Sequence, residues 1–158
     1  MISSRTRSLL VAAIVLSGLL ASGNVDRAIV AMPAWQQVGA PAWAEFSRHA
    51  DLANGFFLYP IEAIGSFVLI LAAIASLRLD RAAKGRVAPP IYGAALLSGG
   101  GLLCTLKAAP IMLGVEGLGD PAALRQAFDG FHFWGNIRGV FQVLAFLAAV
   151  WALAVEGS

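Results

Sequence analysis

Long apolar runs dominate the chain, and they are interrupted by charges, prolines and short polar clusters. A membrane span needs about 20 mostly apolar residues. Cutting the chain at the interruptions leaves four windows that qualify, at 8–31, 56–77, 91–115 and 133–155. The second and fourth are the clearest, because 67–77 and 140–155 contain no charged residue. The first carries a polar notch at Asn24, Asp26 and Arg27, after which apolar residues resume at 28–32. The connection at 32–55 is long, and Pro41 is placed to start a helix in which Trp43, Phe46 and Ala50 recur at helical spacing. The connection at 78–90 reads as a short basic turn ending in Pro89 and Pro90. In the connection at 116–132, Gly119-Asp120-Pro121 marks a turn before a short helical stretch at 123–128. With no internal repeat or low-complexity tract, the pattern predicts one domain over 1–158. The expected fold is an all-α, integral membrane four-helix bundle of up-down-up-down order.

Composition agrees with the pattern. Hydrophobic residues make up 59% and charged residues only 13% of the 158, against about 25% charged in an ordinary soluble domain. This excludes a disordered chain. A net charge of +2 offers no basic stripe for nucleic acid, so none is expected as a partner. A single cysteine, Cys104, excludes an internal disulfide and any multi-cysteine metal site. Arg5 and Arg7, the apolar run 9–20 and the small residues Ala21, Ser22 and Gly23 also describe a cleavable secretory signal. Retention is favoured, because the apolar character resumes after Arg27 and cleavage would leave three spans. Lys and Arg are biased across the expected loops. Arg5, Arg7, Arg78, Arg81, Lys84 and Arg86 fall on one side, and Arg27, Arg48 and Arg125 on the other. The bias predicts both termini in the cytoplasm, and the expected location is the plasma (inner) membrane, as a multi-pass chain.

The polar residues within the spans gather toward the outer side. Glu62, Lys107 and Arg138 come from three different spans at similar depth, with His49, Asp51, Asp129 and His132 just above them. An ionisable group at mid-bilayer costs roughly 2.5 to 3.5 kcal/mol, so these groups should pair with one another, snorkel outward, or face a polar pocket. One acid among two bases leaves a positive charge to be met by Asp26, a backbone carbonyl, water or an anionic ligand. In the fourth span Asp129, His132 and Asn136 share one face and Arg138 points away from it, so a narrow interior face does not hold both equally. Gly135 and Gly139 form a small-x-x-x-small pair that suits either a dimer contact or packing within the bundle. Cys104, one turn below Lys107, reads as a packing cysteine. Pro60 reads as a helix start, or, if the helix begins earlier, as a break that frees a carbonyl beside Glu62. His49 and His132 are the only histidines. Neither lies mid-span, so haem is not expected, and a metal site would require the two loops to meet. No metal or cofactor is expected. In a pocket, Glu62 would act as acid or base with His49 or His132 as an outer proton relay. Lys107 and Arg138 would bind an anionic group.

Four spans in a chain of this length, a first helix ending in small residues and Gly23-Asn24, the segment Met32-Pro33-Ala34-Trp35, and a fourth helix opening with Trp134-Gly135-Asn136-Ile137-Arg138 resemble the anthrone-oxygenase-like family of small membrane proteins, most of them of unknown function. The resemblance implies a four-helix membrane protein, with cofactor-independent oxygenation of anthrone-type polyketides as the activity of some relatives. It adds Trp134, Asn136 and Arg138 as a polar motif of the fourth helix, and Asn24 and Trp35 for the first-helix region, as substrate-binding residues. The Asn-x-Arg spacing here is tighter than the family pattern. Together, these readings favour a protein that binds a small hydrophobic molecule in a polar pocket in the outer half of the bundle and oxidises or deprotonates it. The alternative is a non-enzymatic accessory or assembly subunit of a larger membrane complex, or a homo-oligomer, in contact with membrane lipid. The alternative predicts that Glu62, Lys107 and Arg138 are mutually paired with no cavity.

Overall fold

The structure is a computed structural model. It describes residues 2–80 and 84–156, with only the backbone of Lys84. Arg81 of the expected basic turn lies outside the described residues.

The described residues are all-helical, and four helices are long and apolar enough to cross a membrane. Helix α1 (Ser4–Asp26) runs through a π-helical turn, Arg27–Ala31, directly into α2 (Met32–Val38), so the polar notch does not end the span. Gly39 then turns the chain at φ 96°, a left-handed value that favours glycine, into α3 (Ala40–His49). Helices α4 (Gly55–Leu79), α5 (Lys84–Gly114) and α6 (Pro121–Ala154) follow.

Helices α4, α5 and α6, and the continuous helix from α1 through α2, are each longer than the corresponding apolar window, for local reasons. Helix α6 absorbs the expected short stretch at 123–128. Asp120 caps it by accepting from the Ala123 backbone N–H at 2.9 Å, Pro121 occupies its first turn, and no breaker separates that turn from the span. Helix α4 begins in the preceding loop at Gly55, so Pro60 lies inside it and leaves the Phe56 carbonyl without its helical partner. Pro89 and Pro90 do not end a turn as the sequence suggested. They lie inside α5, and the carbonyls they strip belong to Gly85 and Arg86, which are exposed.

Two apolar cores hold the bundle. The first joins Leu10 and Ala13 of α1, Ile70, Ile74 and Leu77 of α4, Val87, Ile91 and Ala94 of α5, and Ala149 and Ala152 of α6, so all four long helices contribute. Its α5–α6 seam is tight, and a Cβ on Gly100 would lie 2.8 Å from the Phe141 ring. At this end Asp80 accepts from the Ser3 backbone N–H at 3.0 Å and from Thr6 Oγ1 at 2.8 Å, tying the start of α1 to the end of α4.

The second core lies at the other end of the bundle. It joins Met32, Trp43, Ala44, Ala108, Met112, Val115, Leu124, Phe128 and Phe131, and no residue of α4 belongs to it. Helix α3 caps this end. Trp43 is 1% exposed, with its ring centroid 5.0 Å from Phe128. Arg48 donates to the carbonyls of Val115 at 3.3 Å and Leu118 at 2.8 Å, in and after the 3-10 turn that follows α5. The buried face of α3 is Trp43, Ala44 and Ser47, while Phe46 faces away and packs on Trp35 at 4.9 Å.

Candidate functional site

Because α4 stays out of the second core, a space opens between it and the other helices. The cavity has a volume of about 740 Å³. Trp35, Trp43, Phe46, Tyr59 and Phe131 supply aromatic wall, and Leu102, Leu106, Ala109 and Met112 of α5 supply aliphatic wall. Asn24, Arg27, Asp51, Glu62, Arg138 and Gln142 place polar atoms around it.

The floor is an amide pair. Asn24 Nδ2 donates to Gln142 Oε1 at 2.6 Å and to the Leu20 carbonyl at 2.7 Å. Gly139 makes room for this contact, since a Cβ there would lie 3.5 Å from Asn24 Cβ, whereas one on Gly135 would meet nothing within 4 Å. Of the glycine pair, Gly139 therefore packs within the bundle.

Above the floor stands an arginine–carboxylate pair. The π-helical turn starts at Arg27, and such turns inside α-helices are frequent at functional sites. Arg27 Nη2 donates to Asp51 Oδ1, and also to the Tyr59 hydroxyl at 3.3 Å. The Asp51 side chain is 6% exposed, so the pair is largely removed from solvent. The Arg27 guanidinium lies 5.5 Å from the Phe131 ring centroid, and that of Arg138 lies 5.8 Å from the same ring. Two cations thus approach one aromatic ring, and only Arg27 has an ion-pair partner.

Arg138, beside the Phe131 ring, and Glu62 both line the cavity. Among the described residues neither makes a hydrogen bond or an ion pair, although Glu62 is only 8% exposed. They are not paired with each other, and Lys107 pairs with neither.

Glu62, Arg138, Asn24 and Trp35 therefore meet around one space. His49, His132, Lys107, Asn136 and Trp134 do not line it. His49, the last residue of α3, is exposed and bonded to Glu45 at 3.1 Å. Arg48 and then His49 hold the Glu45 carboxyl below its usual range by hydrogen bonding. His132 is half-buried with its ring 6.1 Å from Phe128. Lys107 and Asn136 are exposed on the outer surfaces of α5 and α6. Trp134 packs on Phe133 at 5.3 Å and against the second core. Of the two competing faces of the fourth span, the one carrying Arg138 lines the cavity. Cys104 is buried, in keeping with packing. Among the described residues no group of three or more His, Cys, Asp or Glu side chains converges to hold a metal ion.

Arg27, Asp51, Tyr59 and Gln142 complete the site and were not chosen from the sequence as site residues. Gln142 had a signal. It is the one polar residue in the run 140–155 and lies one turn from Arg138. Arg27 had a weaker one, as a cation between apolar stretches. Asp51 had its place in the polar group above the spans, and Tyr59 had no such signal; only the folded loop brings both to Arg27. No family model, no curated protein and no solved structure matches this chain.

Proposed function

We propose that the protein binds a small, largely apolar molecule carrying an anionic or carbonyl oxygen in this cavity, and exchanges a proton with it. The observation that carries this reading is the Arg138 guanidinium, half-buried at the cavity wall with no hydrogen-bond or ion-pair partner among the described residues. An unpaired ion held away from water is costly, and charges inside membrane bundles are kept where they meet a ligand or a pathway. A ligand oxygen would accept from Arg138, in the strong charge-assisted geometry that guanidinium groups favour. A volume near 740 Å³ falls in the range of about 300–1,000 Å³ usual for small-molecule sites.

Glu62 is the buried carboxylate of the wall without a partner, so it is the group suited to exchange a proton. It would take a proton from an O–H or C–H bond of the ligand, becoming a neutral acid. The electron pair would remain on the ligand oxygen that Arg138 stabilises. Cofactor-independent oxygenation, which the family resemblance implies, is one outcome of such a deprotonation, with dioxygen as co-reactant. The accessory-subunit reading requires Glu62, Lys107 and Arg138 to be paired with one another, and the absence of such pairs weighs against it.

The loop bias of Lys and Arg supports an up-down-up-down order with both termini in the cytoplasm of a cell bounded by a plasma membrane. In that orientation the cavity opens in the outer half.

Native mass spectrometry of the protein released from mild detergent tests the binding claim. The expected result is a stoichiometric small molecule on the wild-type chain that is absent from Arg138→Leu. A bare chain that instead travels with partner subunits would overturn it.

A further inference from the structure

The cavity wall changes character between α4 and α5. Ile64 of α4 and Leu103 and Leu106 of α5 line the cavity, yet they are 53%, 67% and 69% exposed. These side chains therefore form an apolar rim that touches the cavity on one side and the surroundings on the other. The two helices are joined in the first core, and α4 has no share in the second. Each carries a proline in its cavity half. Pro60 frees the Phe56 carbonyl and Pro110 frees that of Leu106, and helices bend at such breaks. The result is a slot between two membrane-spanning helices, with an unpaired guanidinium behind it.

Resting on the reading of the cavity as a binding site, we infer that the ligand is a single-chain amphiphile with a carboxylate head. It would load sideways from the bilayer, with its head at Arg138 and its tail left in the lipid through the slot lined by Ile64, Leu103 and Leu106. Charge selects the head. Around Arg138, Arg27 and Asp51 cancel as a pair, and although Glu62 and Asp26 also line the cavity, neither forms an ion pair with Arg138, so its guanidinium is left open to an anionic head. A carboxylate matches it with two oxygens. The apolar rim selects the tail, because lipid-facing aliphatic side chains offer a hydrocarbon chain the same surroundings as the bilayer does. A free acid in water would gain nothing from that rim.

Trp35 and Trp43 line the cavity, so tryptophan fluorescence in nanodiscs reports on occupancy by dibromostearate, whose bromines quench indole. The expected result is a saturable quenching component that stearate and myristate compete away equally at equal bilayer mole fraction, while hexanoate does not. Arg138→Leu should weaken this component at least tenfold, and Arg138→Lys should restore part of it, separating loss of charge from loss of fold. Equal competition by hexanoate, or failure of stearate where hexanoate succeeds, would mean a wholly enclosed ligand. That would overturn lateral loading while leaving the binding reading intact. Saturable quenching by brominated hexadecanol that no carboxylate displaces would likewise overturn the carboxylate head alone. No saturable component with either probe, and no difference between wild type and Arg138→Leu, would overturn both.

Discussion

Removing the Asp51 carboxylate strands Arg27 beside a second guanidinium, so the Asp51→Asn variant should lose about 2 kcal/mol of stability, as charged, partly buried hydrogen bonds do. Thermal unfolding in mild detergent checks this, and the double variant Arg27→Met with Asp51→Leu should recover much of the loss. Glu62→Gln has no partner to strand. It should leave the melting temperature within a few degrees of wild type and ligand binding within threefold, while proton exchange with the ligand is abolished. A large drop in stability would assign Glu62 a structural bond instead. Residue-scale reading of the sequence recovered depth but not azimuth. Hydropathy and loop charge order residues along the helices, which singled out Glu62 and Arg138, whereas Asn24 and Trp35 came in only through the family resemblance; all four line the cavity. Successive helical residues differ by about 100° around the axis, so Lys107 and Asn136, at comparable depth, face outward. Nothing in a run of apolar residues tells which flank a neighbour will cover.

At the scale of elements, the tie between α1 and α4 is sensitive to pH. The Asp80 carboxyl is held below its ordinary range chiefly by the Ser3 backbone N–H and then by the Thr6 hydroxyl. A carboxylate whose folded pKa is lowered contributes stability that is fully present above the unfolded value, about 4 for Asp, and is lost as pH falls through the lowered folded value. Protection of the amides at the start of α1, taken relative to their intrinsic exchange rate at each pH, should therefore be high at neutral pH and fall in acid below about pH 4, and Asp80→Asn should show the low protection already at pH 7. Packing between elements gives a second expectation. Gly100→Ala places a methyl against Phe141 in the α5–α6 seam, and overpacking of that kind costs typically about 1–3 kcal/mol. Adding Phe141→Leu should relieve it, as read by thermal unfolding. The four spans were legible because their apolar runs are long, and the capped start of α6 was legible as a Gly-Asp-Pro turn. The continuity of α1 into α2 was not, because a π-helical turn has no residue signature. Nor was the extension of α5 back through Pro89 and Pro90, since exposed carbonyls next to those prolines can be solvated.

Two cores hold the described residues together, and the cavity lies beside the second. One core uses all four long helices, and the other leaves α4 aside. That asymmetry, rather than any single motif, produces the space into which Arg138 and Glu62 project. It was invisible in the sequence because it depends on α3 folding over the end of the bundle and engaging α5 and α6 through Trp43 and Arg48. A binding arginine held without a partner lowers stability until its ligand arrives, whereas a structural arginine raises it. The decisive measurement is therefore the melting temperature of ligand-stripped Arg138→Leu in mild detergent, with and without added long-chain carboxylate. The expected result is a stripped variant at least as stable as stripped wild type, with only the wild type gaining stability on addition. A stripped variant that melts several degrees below wild type, with both responding alike to the added carboxylate, would contradict a ligand-binding Arg138.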